Sequence, residues 1–437
     1  MGVLLLRQTC AILSTYTADV SGVCSALYEM GGMTVMHDAS GCNSTYNTHD
    51  EPRWYDIPSL VFISALAEVE ALMGDEEKLI GDVCRAAEEL RPRFIALAGT
   101  PIPMMMGTDF KGIARVIEER TGIPTFGFAT NGMNSYNVGA GMALAAVARR
   151  FCDPGLTPPP LAEGERPSVN LLGVTPLDFS VRAAPRSGEA GTLKISQGGK
   201  PAGASFVRAA PCSGEAGTGK ISNGDDLTGA SAVCGNVEAM KMVFEDAGFH
   251  VNSCWAMGSP WEELMNAGRA HVNVVVSSCG APLAEALREI YGTPSVTGLP
   301  VGDSVARELF SLIDEAAQRG GGLSLPLPIT EPGGKVFVIG EPVQSASIAR
   351  ALERDYAMRN VRMLAPLDSP DEDEVFRALR EARLVIADPL YKPALPKHYC
   401  RFIALPHEGY SGRIFRDNIP LIMGGEFNRW IERELAL

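Results

Sequence analysis

The feature that most limits what this chain can fold into is its alternation of short apolar, β-branched runs with segments of helical period, punctuated by Gly, Pro and Ser. Leu60–Ser64 reads as a strand, Asp75 is placed to cap a helix running to about Leu90, and Phe94–Ala98 is the next strand. A helix near Phe110–Arg120 stops at Gly122, Pro124–Phe128 is again extended, and a small-residue helix over Val138–Arg150 closes the block. Strand, loop and helix repeated in this order build a parallel sheet covered on both faces, so the expected fold class is α/β.

Asp153–Pro167 carries five prolines, at 154, 158, 159, 160 and 167. Such a segment favours extended backbone and reads as a linker. A second block opens with strand Val169–Val174 and resumes with a helix over Val237–Ala247, capped by Asn236 and stopped by Gly248. Strand Val272–Ser277, helix Ala281–Tyr291 and the Gly292-Thr-Pro turn follow. After the Gly320–Gly322 junction, a third block begins with strand Lys335–Ile339 and a helix to about Tyr356. The expected division is a first domain over 1–152, the linker over 153–167, a second domain over 168–330 and a third over 331–437. Within the second, Val181–Ser205 and Val207–Ser231 are near-copies of each other. The repeat is polar, rich in Gly, Ala and Ser, and has no apolar period to bury. It sits where one βα turn belongs, so 181–233 reads as an inserted, disordered surface loop. A partner-binding arm is the functional alternative.

The net charge of −14 argues against nucleic acid or an anionic membrane surface as the main partner. No apolar run approaches the eighteen or so residues of a membrane helix, and the apolar N-terminus is broken at Arg7. The ten cysteines include no CxxC pair. Free thiols in a reducing cytoplasm are therefore expected.

Two glycine motifs carry little. Gly214-Glu-Ala-Gly-Thr-Gly219-Lys220 imitates a phosphate-binding loop, yet Ile221 replaces the hydroxyl that would hold magnesium and no strand feeds it. Gly139-Ala-Gly141 lacks the rest of a dinucleotide fingerprint, and helix packing accounts for it better. Met33–Tyr55 is more informative. A strand leads into His37-Asp38-Ala39-Ser40-Gly41-Cys42 and then a polar, aromatic-rich loop. Gly41 would let the backbone turn tightly and present the Cys42 sulfur. By residue type alone Cys42 is either a buried thiol or a ligand, and His37 and His49 default to structural hydrogen bonding.

The order of segments along the chain resembles the nitrogenase component 1 family. The likeness begins at Gly22–Tyr28, followed by His37 and Gly41-Cys42 after a strand. It continues through Phe62–Gly81, Phe94–Phe128, Asn134–Phe151, Val169–Phe179, the Gly235–Gly248 helix and Val274–Val296. The resemblance implies three Rossmann-like domains and a pseudo-symmetric pair with a homologous subunit. It also implies an iron–sulfur cluster at their interface and electrons delivered by an ATP-hydrolysing iron protein. Carried over by position, the middle cluster cysteine is Cys42. The first falls on Thr17-Ala18-Asp19 and the third on Gly99-Thr100-Pro101, neither of which offers a thiolate. Asp19 or Asp38 could offer oxygen, and Cys10 and Cys24 lie near in sequence but off the position. The set therefore implies a four-iron or partner-completed cluster rather than the full eight-iron one. Cys279, with Ser277 and Ser278, falls close to where the catalytic nitrogenase subunit anchors its cofactor, at a strand end that faces a crevice. A buried structural thiol is the other reading of Cys279. Met104–Met106 would pack beside the cluster or fill core. The functional expectation is a reductase subunit. Its alternatives are a non-catalytic partner or metallocluster scaffold, and an iron-free ligand-binding or glycosyltransferase-like protein.

Overall fold

The structure is a computed structural model, and it describes residues 12, 14, 18–41, 43, 46, 51–54, 57–180, 207–208, 235–327, 334–366, 372–396 and 399–436. Three sheets follow one another along the chain, and every pairing within them is parallel except one. The α/β class and its Rossmann-like grammar are what the alternation of strand and helix predicts.

The first sheet is preceded by α1 (Asp19–Ala26) and begins with β1 (Met33–His37) and β2 (Leu60–Ile63). Helices α2 (Glu68–Met73) and α3 (Glu77–Leu90) lead to β3 (Ile95–Gly99). Then come α4 (Pro101–Met106), α5 (Phe110–Thr121), β4 (Thr125–Phe128) and α6 (Tyr136–Phe151). Gly122 ends α5 in the left-handed region at φ 69°, as its position predicts. Asp75 accepts from the amide of Glu77 at the start of α3.

The second sheet is built from β5 (Val169–Leu172), the short α7 (Pro176–Phe179), α8 (Gly235–Asp246) and β7 (Val251–Cys254). Between α7 and α8, β6 (Val207–Arg208) lies antiparallel on the outer edge of β2. The rest of the tandem repeat, with the expectation of disorder placed on it, lies outside the described residues. The sheet continues through α9 (Trp261–Met265), β8 (Val272–Val275), α10 (Ala281–Tyr291), β9 (Ser295–Thr297), α11 (Gly302–Arg319) and β10 (Gly322–Ser324). The third comprises β11 (Val336–Ile339), α12 (Pro342–Tyr356), β12 (Val361–Leu364), α13 (Glu372–Ala378), β13 (Leu384–Ala387), β14 (Arg401–Ala404), α14 (Glu408–Ser411) and α15 (Gly425–Leu435).

All three sheets share one topology. Their strand orders are β2-β1-β3-β4, β7-β5-β8-β9-β10 and β12-β11-β13-β14, apart from the added β6. In each the first strand is internal and the chain winds outward from it in both directions. The turning points, β1/β3, β5/β8 and β11/β13, are where a parallel sheet opens a crevice at its carboxyl edge. The central strands β1, β3, β5, β8 and β13 are buried along their whole length; β3 and β13 read as continuous apolar runs, and the polar residues in β5 and β8, Asn170 and Asn273, bond each other.

The glycines of α1 and α6 are packing devices. A Cβ on Gly139 would fall 1.8 Å from the carbonyl oxygen of Asp19, and one on Gly22 2.0 Å from that of Tyr136. One on Gly141 would meet Pro282 at 2.7 Å. The Gly139-Ala-Gly141 signal is thus helix contact, and α6 is the beam joining the first sheet to α10 of the second. Asn236 is not the cap expected of it. It lies inside α8, accepts from Ile422 N and donates to Pro420 O, tying that helix to the C-terminal segment.

One buried ion network pins the segment after the Cys42 loop. Arg53 is fully buried and donates to both Glu51 oxygens, to Glu29 and to the carbonyl of Ser25. Its guanidinium lies 4.7 Å from the centre of the Tyr28 ring. Glu51 in turn accepts from Ser25 Oγ. A guanidinium can occupy this place because its fixed fork meets several acceptors at once.

Candidate functional site at the sheet turning points

At the first turning point, His37 ends β1. Its Nδ1 is 2.8 Å from Ser64 Oγ, and burial pushes its pKa down to about 4 against the pull of Asp38 and Glu70. His37 is therefore a neutral imidazole near pH 7. The Asp38 carboxylate accepts from Ala39 N and from Asn43 Nδ2. Thr100 closes the crevice by donating to the carbonyl of His37 at 2.9 Å, and Pro101 begins α4 directly after it. Asp19 is buried, and its carboxylate accepts from Val20 N, Asn131 N, Gly132 N and Asn134 Nδ2. Four donors engage its lone pairs, so the carboxylate acts as a clamp on the 131–134 loop. Cys24 is buried in the core on α1. Cys42 itself, with Thr17, Cys10 and His49, lies outside the described residues. Gly41 is exposed, and a Cβ there would meet nothing within 4 Å among the described residues. Gly41 lies in a turn, and no left-handed φ requires glycine there.

The second and third turning points meet. Ser277 repeats the motif of Thr100, donating to the carbonyl of Gly173 at 2.6 Å. Ser278 accepts from Asn137 Nδ2 of α6 at 2.6 Å, and its amide donates to Glu341 Oε1 at 2.7 Å. The Cys279 thiol lies 3.4 Å from Asn137 Oδ1 and 3.5 Å from Asp178 Oδ2. Three sheets thus converge on one turn. Of the positions expected from sequence, Cys279, Ser277 and Ser278 come together here, whereas His37 and Asp19 belong to the first crevice.

Electrostatics at this joint are acidic and dry. Burial raises the Cys279 thiol well above its ordinary range, helped by the nearby Asp178 and Glu341 carboxylates. Glu341 caps α12 through Gln344 N and is pushed up to about 8 by burial first and the Asp178 charge second, against two backbone donors. Asp388, which ends β13, accepts from Leu390 N, His407 N and Ser411 Oγ, yet burial still raises it. His407 accepts from Gly409 N at Nδ1, and burial lowers it to about 3. Glu408 is paired with Arg416. Asp178, Ser180, Asn236, Gln344, His407 and Glu408 line a hollow of about 10 Å³, the size of one water molecule. Asp178, Glu341, Asp388 and His407 were not singled out from sequence. Each follows directly on a strand end or opens a helix, and that placement was the available signal.

The chain is matched by the family model for nitrogenase component 1 type oxidoreductases over residues 20–187 and 227–320, well over half its length. This chain belongs to that family. The match skips the middle of the tandem repeat, as an insertion would. Among solved structures, two nitrogenases are similar. One, described as nitrogenase Cp1 at pH 5, shares 16% identity over 82% of this chain and 66% of its own, with a TM-score of 0.49. The other, nitrogenase Cp1 at pH 6.5, shares 15% over 98% and 73%, also at 0.49. This chain spans just under two thirds of the first. No curated protein matches. Within the described residues no helix is long and apolar enough to cross a membrane.

The donor set available for the family's cluster is short. Among the described residues no three His, Cys, Asp or Glu side chains converge as metal ligands. At the N-terminal positions Asp19 is occupied, Thr100 is bonded to the backbone and Pro101 has no donor atom.

Proposed function

We propose that this protein is one subunit of a nitrogenase-like reductase. In this reading it pairs with a homologous subunit and shares with it an iron–sulfur cluster held from this side by Cys42. An ATP-hydrolysing iron protein would supply the electrons, and the substrate is unidentified. The observation that carries the reading is the family match, which spans the Cys42 segment, the rest of the first sheet and most of the second. The remaining thiolates must come from the partner, because the residues at the other two positions are Asp19 and Thr100-Pro101.

A partner surface is available beside that segment. Val69, Leu72 and Met73 of α2 and Met104 and Met105 of α4 are exposed, as is Met133 in the Asp19-clamped loop. Gly132, next to it, packs on Pro101. Large apolar side chains gathered this way on one edge fit a protein contact. A bound cluster would supply one-electron storage and transfer. This chain's own residues would hold the loop (Arg53, Glu51) and keep a neutral imidazole beneath it (His37). The water-sized hollow at the joint favours the non-catalytic half of such a pair over the half that carries substrate.

The test is anaerobic purification with a homologous partner subunit, followed by iron and sulfide analysis of wild type and Cys42→Ala. Loss of iron in the variant supports the reading, and equal iron in both removes Cys42 from the site. Transfer of the cluster to a third protein without ATP-dependent reduction would instead indicate a scaffold.

A further inference from the structure

We propose that the Ser277–Cys279 turn is the keystone that holds the three sheets closed, and that in this chain the joint is no seat for a thiolate-anchored metallocofactor. This narrows the reading above by placing any substrate-reducing centre of the complex outside this joint.

Each residue of the turn serves a different neighbour. Ser277 Oγ bonds the backbone of its own sheet at Gly173, across the β5/β8 turning point. Ser278 binds the first sheet's helix through Asn137 and the third sheet's helix cap through Glu341. Gly280 follows, and a Cβ there would lie 2.2 Å from the carbonyl oxygen of Leu172, so the backbones are already in contact. The carbonyl of Cys279 lies 3.1 Å from where a Cβ on Gly141 would stand, which keeps α6 against the turn.

An anchoring sulfur must lose its proton and face a hollow. Cys279 does neither. Its thiol points at Asn137 Oδ1 and Asp178 Oδ2, two oxygens that accept a proton's hydrogen bond and would repel a thiolate. The side chain is wholly buried. The hollow nearby, about 10 Å³, is far below the ~300 Å³ at which small-molecule pockets begin. The carboxyl groups near the Cys279 thiol, Asp178 and Glu341, come from the second and third sheets, so the acidic surroundings are part of the closure.

The experiment uses the full chain purified anaerobically together with its homologous partner subunit, as wild type, Cys279→Ser and Glu341→Ala. Two readouts are taken, metal content and amide hydrogen exchange over 277–280. Removing the Glu341 carboxylate leaves the Ser278 amide without its acceptor, so exchange there should accelerate roughly tenfold or more. Cys279→Ser should keep the wild-type iron content, whatever that content is. Unchanged exchange in Glu341→Ala, or iron lost in Cys279→Ser, overturns the proposal. Where Glu341→Ala does not fold, Glu341→Met, of similar length and without an oxygen acceptor, is read against the same exchange criterion. Iron lost in Cys42→Ala but kept in Cys279→Ser supports both readings. Iron kept in both variants defeats only the cluster assignment.

Discussion

Glu341 makes the joint's stability depend on pH in a direction that can be worked out. Its carboxyl is raised from 4.5 to about 8 in the folded protein, by burial first and by the Asp178 charge second. Raised above its unfolded value, it contributes stability that is fully present below about pH 4.5 and is lost as pH rises through about 8. At ~1.4 kcal/mol for each tenfold change in proton affinity, the ceiling on the loss is about 5 kcal/mol. Glu341→Gln removes the titration. It also leaves one of the Ser278 and Gln344 amides facing an NH₂ group, at a cost of about 1–3 kcal/mol. The expectation is therefore a crossing. At pH 5 the variant melts below wild type, and by pH 8.5 the gap has closed or reversed. Calorimetric melting from pH 5 to 9 reads this directly. His37 and His407, buried as neutral imidazoles, add a rise in stability up to about pH 6.5, where they titrate in the unfolded chain, but that rise is common to both proteins and cancels in the gap between them. Parallel curves for the two proteins would refute the argument.

Further outcomes follow from the packing. Gly139→Ala should destabilise by roughly 2–3 kcal/mol, because its methyl meets the Asp19 backbone carbonyl, which has no rotamer to yield. Gly41→Ala should leave the melting temperature unchanged, and a Gly41 effect as large as that of Gly139 would contradict the open space there. Arg53→Met strands the buried Glu51 and should cost about 3–5 kcal/mol. Arg53→Lys, with one ammonium in place of a fork, should recover less than half of that in denaturant titrations.

The alternation of apolar runs with helical period was sufficient for the class, because a strand buried on both faces has no other way to be written. It located β3, β4, β5, β8, α5, α10 and α12 to within a few residues, since each ends on a residue with a local reason to stop, such as Gly122 or Gly292. Where a side chain could act either locally or at a distance, local reasoning failed. Asn236 looked like a cap and instead holds the C-terminal segment.

The candidate site divides along the same line. That Cys42 lacks cysteine companions at the matching positions was legible in the chain, because ligand chemistry follows residue type. That Asp19 is spent on four donors, and that Cys279 points at a carboxylate rather than into a cavity, depends on residues more than a hundred positions away. Sequence by itself determined which groups could ionise or bind and on which strand ends they stand. Only the tertiary structure decided which charges share one dry space. Asp178, Cys279 and Glu341 meet across sheets that are separate along the chain, and burial turns that proximity into raised proton affinity at the Cys279 thiol and at Glu341.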